Sequence, residues 1–294
     1  MHLDLVFDGE GQGLVGVHFV YCTVSTDAVP VWRRAMRGKI EIPDSFPGAG
    51  DVRGRRVVVT GAGRGLGELI AHAFSGAGAN VALVARTEAD LKAVAATLPG
   101  PTLQFCGDIR DADFNEEVAD GTVSEWGGLD VWIGNAGISP IVAGPLGTAP
   151  DVWRDVIDVN LTGAFLGARA AARVMRRGGR LIFTGSVLGE RPLKGLAAYS
   201  ASKAGLVGMA KGLALDLAPS GITVNIVAPG WFDSPLTEAW MSNERSSEAI
   251  RGHTALGRWG QSSDLAGAFQ FLASDAAAFV TGVVLNVDGG YLLV

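Results

Sequence analysis

From Arg56 onward the chain alternates short apolar runs with longer stretches of helical spacing, and this alternation restricts the fold more than any other feature of the sequence. The runs at 57–60, 81–85, 103–106, 131–135, 180–184, 223–228 and 284–287 are dense in β-branched and apolar residues and show no polar face. A strand of that composition is buried on both sides, as in a parallel sheet covered by crossover helices. Between the runs, residues 67–76, 151–177 and 198–217 carry apolar side chains at helical spacing with few internal breakers. The reading is an α/β protein: a Rossmann-type doubly wound, seven-stranded parallel sheet with helices on both faces, in a single domain over residues 51–294.

Residues 1–50 follow no such pattern. A mildly apolar stretch at 14–24 is followed by Pro43, Pro47, Gly48 and Gly50, which break any regular element. They read as an N-terminal extension: an ordered arm, a flexible tail, or sequence upstream of a start at Met36. Within the 294 residues, 48% hydrophobic and 18% charged suits one large core rather than two small ones. A net charge of −6 gives no basic face for nucleic acid. Cys22 and Cys106 make no disulfide framework or metal-ligand spacing, so no metal is expected and a reducing compartment, the cytoplasm, is the expected location. No apolar run approaches the roughly 20 residues of a membrane span, so no membrane partner is expected.

The first apolar run leads into Thr60-Gly61-Ala62-Gly63-Arg64-Gly65-Leu66-Gly67 and then a helix. In that context glycines let the chain turn tightly and approach a ligand, and the helix N-terminus offers free N–H groups to a pyrophosphate. The second run ends Val84-Ala85-Arg86, without the carboxylate that would accept from an unphosphorylated ribose, and Arg64 stands in the glycine loop. Two arginines converging on one phosphate favour NADP(H) over NAD(H); the same pair also fits two solvated surface arginines.

Farther on, Tyr199 and Lys203 in Tyr-Ser-Ala-Ser-Lys share one helical face, one turn apart. A fixed ammonium there would stabilise the phenolate and bring the tyrosine toward a useful proton-transfer range. Ser186 follows the strand at 180–184, where it can hydrogen-bond a carbonyl or hydroxyl. Asn160 interrupts an apolar helix, a costly place for an amide without partners. Each residue alone also fits a structural role.

Together, in this order and behind the glycine loop, Asn160, Ser186, Tyr199 and Lys203 resemble the tetrad of the short-chain dehydrogenase/reductase family. The resemblance covers about residues 51–294. It implies proton exchange by Tyr199, a substrate oxygen held by Ser186, a ribose contact and pKa-lowering role for Lys203, and a water held by Asn160. It implies cofactor contacts from Gly61, Arg64, Gly65, Leu66, Gly67, Arg86, Asp108, Ile109, Tyr199, Lys203, Pro229, Gly230, Phe232 and Ser234. Asn135-Ala136-Gly137 is similar to the family's Asn-Asn-Ala-Gly motif, with Gly134 in place of the first Asn. Asp108, the family's adenine-contacting acid, also fits a helix N-cap. Family members assemble as homotetramers or homodimers, and the alanines and glycines of 151–177 and 198–217 would allow such packing.

The substrate pocket is expected from loops 139–142, 187–194 and 231–251. Glu190, Arg191, Trp231 and Phe232 suggest a mixed polar and aromatic lining suited to a hydroxylated or anionic compound. Residues 257–260 and 271–290 are similar to the gluconate 5-dehydrogenase branch, which implies a small keto-acid or sugar-acid substrate. The alternative is a 3-oxoacyl thioester reductase; a cofactor-binding regulator without catalysis is a third reading, against which the intact tetrad argues.

Overall fold

The structure, a computed structural model, describes residues 50–294 apart from Pro235; the expected extension, but for Gly50, lies outside the described residues. All seven expected strands form: β1 (Arg56–Thr60), β2 (Asn80–Ala85), β3 (Thr102–Cys106), β4 (Val131–Gly134), β5 (Arg180–Thr184), β6 (Thr223–Pro229) and β7 (Val284–Val287). They pair in parallel in the order β3-β2-β1-β4-β5-β6-β7. The chain therefore runs outward from β1 to β3, returns to lay β4 on the other side of β1, and opens a crevice where the two directions part.

Alternation along each strand distributes the core between two faces. Val58, Trp132, Leu181, Phe183, Val224 and Ile226 pack on one face, and Val57, Val59, Leu83, Ile133, Ile182 and Val227 on the other. The first face is covered by α3 (Ala112–Trp126), α5 (Gly163–Val174) and α6 (Ala197–Leu217). The second is covered by α1 (Gly65–Gly76), α2 (Glu88–Ala95) and α9 (Ser262–Ala273). Beyond β6 the short α7 (Glu238–Met241) and α8 (Glu244–Gly252) join a third cluster, in which Val187, Leu188, Leu196, Trp231, Ile250, Trp259 and Tyr291 are buried together.

One helix departs from expectation. Residues 151–177 do not form a single element: α4 (Pro150–Ile157) runs into a π-helical turn, Asp158–Thr162, before α5, which ends at Val174. The Gly163 N–H reaches back five residues to the Asp158 carbonyl. The widened turn carries Asn160, which is 1% exposed and whose amide is drawn sideways into bonds with another segment. Wide turns of this kind recur at functional sites.

Candidate active site

The crevice is closed at its base by side chains that tie three strand ends together. Thr60 Oγ1 accepts from the backbone N–H groups of Asn135 (3.0 Å) and Ala136 (3.1 Å). Asn135 Nδ2 donates to the Thr60 carbonyl at 3.0 Å, and Thr184 Oγ1 donates to Asn135 Oδ1 at 3.1 Å. The glycine loop and the Asn135-Ala136-Gly137 turn approach so closely that a Cβ at Gly61, whose φ is +68°, would stand 2.8 Å from Ala136 Cα. A Cβ at Gly67 would stand 2.1 Å from the Gly61 carbonyl oxygen. Gly134 also has a reason: it pairs with Phe183 across the sheet, and a Cβ there would meet that ring at 2.6 Å. The departure from the family's Asn is thus matched by a phenylalanine on the next strand.

Every residue expected at the cofactor end lines one cleft of about 630 Å³: Gly61, Arg64, Gly65, Leu66 and Gly67, then Arg86, Asp108, Ile109, Asn135, Ala136 and Gly137, then Pro229, Gly230, Phe232 and Ser234. Arg64 and Arg86 are exposed and, among the described residues, in no ion pair. Asp108 holds Arg110 at 2.7 Å, and that guanidinium keeps its carboxyl below the ordinary carboxylate range, with a smaller pull from Arg86. It is not a helix cap; Asp111 caps α3 by accepting from the N–H groups of Asp113 and Phe114.

At the centre, Ser186, Tyr199 and Lys203 line the same cleft and Asn160 lies behind it. Lys203 is 4% exposed, donates from Nζ to the Thr184 carbonyl at 2.7 Å, and is pushed by burial from an ordinary 10.5 down to about 8. Its Nζ stands 5.7 Å from the centre of the Tyr199 ring. Tyr199 as a whole is half-buried, but burial of its hydroxyl pushes the phenol up, and the Ser186 hydroxyl beside it opposes that shift. The sequence reading assigned the downward pull on this phenol to Lys203; the pull that opposes burial comes from Ser186. Asn160 has both amide donors engaged, one on the Ile138 carbonyl and one on Ser202 Oγ, each at 3.0 Å, while its Oδ1 accepts from the Ile138 N–H at 2.8 Å. It fixes the 135–138 turn, and only its acceptor atoms are left for the water implied by resemblance.

At the substrate end the three expected loops line the cleft, but two of their expected side chains do not. Ser139, Val187, Leu188, Leu196, Trp231, Leu236, Thr237 and Trp240 line it; Glu190 and Arg191 do not. Arg191 turns away to the C-terminal segment, where Nη1 donates to the carbonyls of Tyr291 and Val294 and its guanidinium lies 5.2 Å from the centre of the Tyr291 ring. Tyr291 in turn packs against Trp231, with ring centres 6.2 Å apart, as do Trp240 and Trp259 at 5.8 Å. Glu238 also lines the cleft, and it borders a second hollow shared with Arg64, Leu66 and Ser234 on the glycine-loop side.

A family model described as enoyl-(acyl carrier protein) reductase matches residues 61–292. The chain is 37% identical over 243 residues to the 3-oxoacyl-[acyl-carrier-protein] reductase FabG of Escherichia coli (strain K12), covering 82% of this chain and 98% of that protein. The chain belongs to the short-chain dehydrogenase/reductase family. Among solved structures, a dehydrogenase/reductase from Sinorhizobium meliloti 1021 superposes with a TM-score of 0.78 at 39% identity, covering 83% of this chain and 97% of that one. A proposed NAD(P)-dependent gluconate 5-dehydrogenase from Beutenbergia cavernae, holding NADP at low occupancy, gives a TM-score of 0.76 at 34% identity and covers 84% and 100%.

This short-chain dehydrogenase/reductase acts between CH–OH and ketone groups with NADP(H). Its own residues fit that cofactor: a glycine cradle without room for side chains, the N-terminus of α1, and two cleft arginines without ion-pair partners among the described residues. Several lining residues had no sequence signal. Asp90 on α2 packs over Gly63 and Leu196 precedes α6; each reaches the cleft through tertiary packing. Thr184 had one, as the last residue of β5 before Gly185-Ser186, and its carbonyl anchors Lys203.

Proposed function

We propose that this enzyme reduces the keto group of 3-oxoacyl thioesters or closely related ketones bearing an apolar chain. The observation that carries the reading is the apolar and aromatic substrate end, built from Val187, Leu188, Leu196, Trp231, Leu236 and Trp240. A keto-acid or sugar-acid carboxylate would find there, among the described residues, no cation other than Lys203. Identity to the E. coli reductase supports the same choice over the sugar-acid reading that the sequence favoured.

When bound, NADPH would supply the hydride that reduces the substrate's carbonyl carbon. In this reading Tyr199 carries the proton that the carbonyl oxygen takes up, and the upward shift of its phenol keeps that proton in place at neutral pH. Ser186 orients the oxygen, its own hydroxyl fixed by accepting from the Leu188 N–H at 3.1 Å. Lys203 would hold the ribose edge, and Asn160 fixes the 135–138 turn beside it. Arg64 and Arg86 take the 2′-phosphate, Asp108 and Ile109 the adenine side. A homotetramer or homodimer is supported by exposed apolar side chains on α5, α6 and the segment before β7: Phe165, Leu215 and Phe279.

The test is NADPH oxidation with the N-acetylcysteamine thioester of 3-oxohexanoate, run beside a panel of keto-sugar acids. Turnover of the thioester is the expected result. Turnover confined to the keto-sugar acids would overturn the substrate reading, and turnover of neither, with tight NADPH binding, would favour a cofactor-binding regulator.

A further inference from the structure

We propose that Arg110 is a positioning residue for cofactor choice: by holding the Asp108 carboxylate it keeps that acid off Arg86, whose guanidinium is then free for the 2′-phosphate of NADP(H). The inference rests on the reading above that Arg86 takes the 2′-phosphate, and it names what keeps Arg86 available. Arg86 and Asp108 stand just past the ends of neighbouring strands. Ala85 pairs with Cys106 in the parallel ladder of β2 and β3, and the Gly107 N–H donates to the Ala85 carbonyl at 3.0 Å. Both side chains line the cleft, Arg86 exposed and Asp108 half-buried. An exposed guanidinium beside an unengaged carboxylate pairs with it, and a phosphate then has to displace that acid. Asp90, the other carboxylate at this end among the described residues, lies over Gly63 in the glycine loop.

Arg110 engages that carboxylate from outside the cleft. Its Nε donates to Asp108 Oδ1 at 3.1 Å and to Oδ2 at 3.0 Å, its Nη2 donates to Oδ2 at 2.7 Å, and its backbone N–H donates to Oδ1 at 2.9 Å. The far edge of the guanidinium is held by Asp155 on α4, which accepts from Nη1 at 3.2 Å. Both oxygens of Asp108 are thus turned on Arg110 in a forked geometry that a lysine could not supply. The pair also keeps the Asp108 carboxyl below the ordinary carboxylate range, with Arg110 contributing more than Arg86, so the acid is charged at neutral pH. Without Arg110 that charge would stand uncompensated beside Arg86 and beside the phosphate. It would draw on the first and repel the second, while the uncharged 2′-hydroxyl of NAD(H) would feel neither effect.

The experiment titrates NADPH and NADH into wild type, Arg110→Gln, Asp108→Asn and the double variant, follows nicotinamide fluorescence, and takes selectivity as the ratio of the NADH to the NADPH dissociation constant. Glutamine at position 110 leaves the backbone bond to Asp108 in place, so the turn persists. Arg110→Gln lowers the selectivity about fivefold at low salt, the effect of one unit charge in a solvated site, and by less at high salt. With Asp108→Asn already present the same change has little effect, because the competing acid is gone; any weaker hold on the adenine then acts on both cofactors and cancels in the ratio. A purely structural role for Arg110 would weaken both cofactors together and leave the ratio alone. An unchanged ratio in Arg110→Gln overturns the proposal. So does a loss as large in the Asp108→Asn background, which would make Arg110 a cation acting on the phosphate through space. Should Arg110→Gln fail to fold, Asp108→Asn alone decides: removing the carboxylate raises the selectivity, and a ratio that does not rise refutes the competition. If Arg86→Ala weakens NADH as much as NADPH, the reading of Arg86 fails and the inference with it; if Arg86→Ala is selective for NADPH yet Arg110→Gln leaves the ratio unchanged, the inference alone fails.

Discussion

Replacing Lys203 with methionine exchanges a buried ammonium for an apolar chain of similar length and separates the demands of stability from those of catalysis. Burial holds the lysine at about 8 in the folded chain against an ordinary 10.5. At about 1.4 kcal/mol for each pH unit, this difference amounts to roughly 3 kcal/mol of destabilisation. The sign follows from proton counting. Between about pH 8 and 10.5 the unfolded chain holds a proton that the folded chain has released, so wild-type stability rises with pH across that window. Below about pH 8 the penalty is fully present. Methionine leaves the Thr184 carbonyl without its donor, a cost of about 1–3 kcal/mol that does not vary with pH. The net difference near pH 7 is therefore small, but it must shift by roughly 3 kcal/mol in favour of wild type as pH rises to about 10.5. Urea unfolding of the two cofactor-free proteins over that range measures it, since groups common to both cancel. A difference that stays constant with pH refutes the reasoning.

Tyr199→Phe should lower turnover by about 10²–10⁴-fold while NADPH titration of the variant stays close to wild type; unchanged turnover would remove the phenol from the chemistry. Arg64→Ala and Arg86→Ala should each weaken NADPH about tenfold or more, less so at high salt, and leave NADH binding alone; equal losses for both cofactors would mean that the arginines do not read the 2′-phosphate. Gly134→Ala should cost about 1–3 kcal/mol in urea unfolding because its Cβ meets the Phe183 ring, and Phe183→Leu in the same chain should recover part of that loss. A Gly134→Ala protein as stable as wild type would show that the ring has room to move.

Strand composition made the sheet legible, because burial of the five inner strands on both faces leaves no polar alternation to confuse the runs, and the half-exposed edge strands β3 and β7 are apolar enough to follow; each strand falls within about two residues of its expected bounds. The glycine loop and the tetrad were legible for a similar reason: their chemistry depends on local spacing and on position at strand ends. The π turn was not, since nothing in Asp158–Thr162 forces it; the pull comes from Ile138, distant in sequence. Arg191 was misplaced for a related reason. Its position after Ser186 suggests the pocket, whereas its donors are claimed by a segment a hundred residues later. The balance at Tyr199 was misjudged because i, i+4 spacing fixes the distance to Lys203 but says nothing of desolvation, which burial in the assembled fold sets.

The tie between Arg191 and the carbonyls of Tyr291 and Val294 bears on how the protein is handled. Residues 291–294 back onto the tryptophan wall, so an affinity tag or fusion partner appended after Val294 would pull on Tyr291 and, through it, on Trp231. Substrate profiles measured on C-terminally tagged protein would then report the tag as well as the pocket.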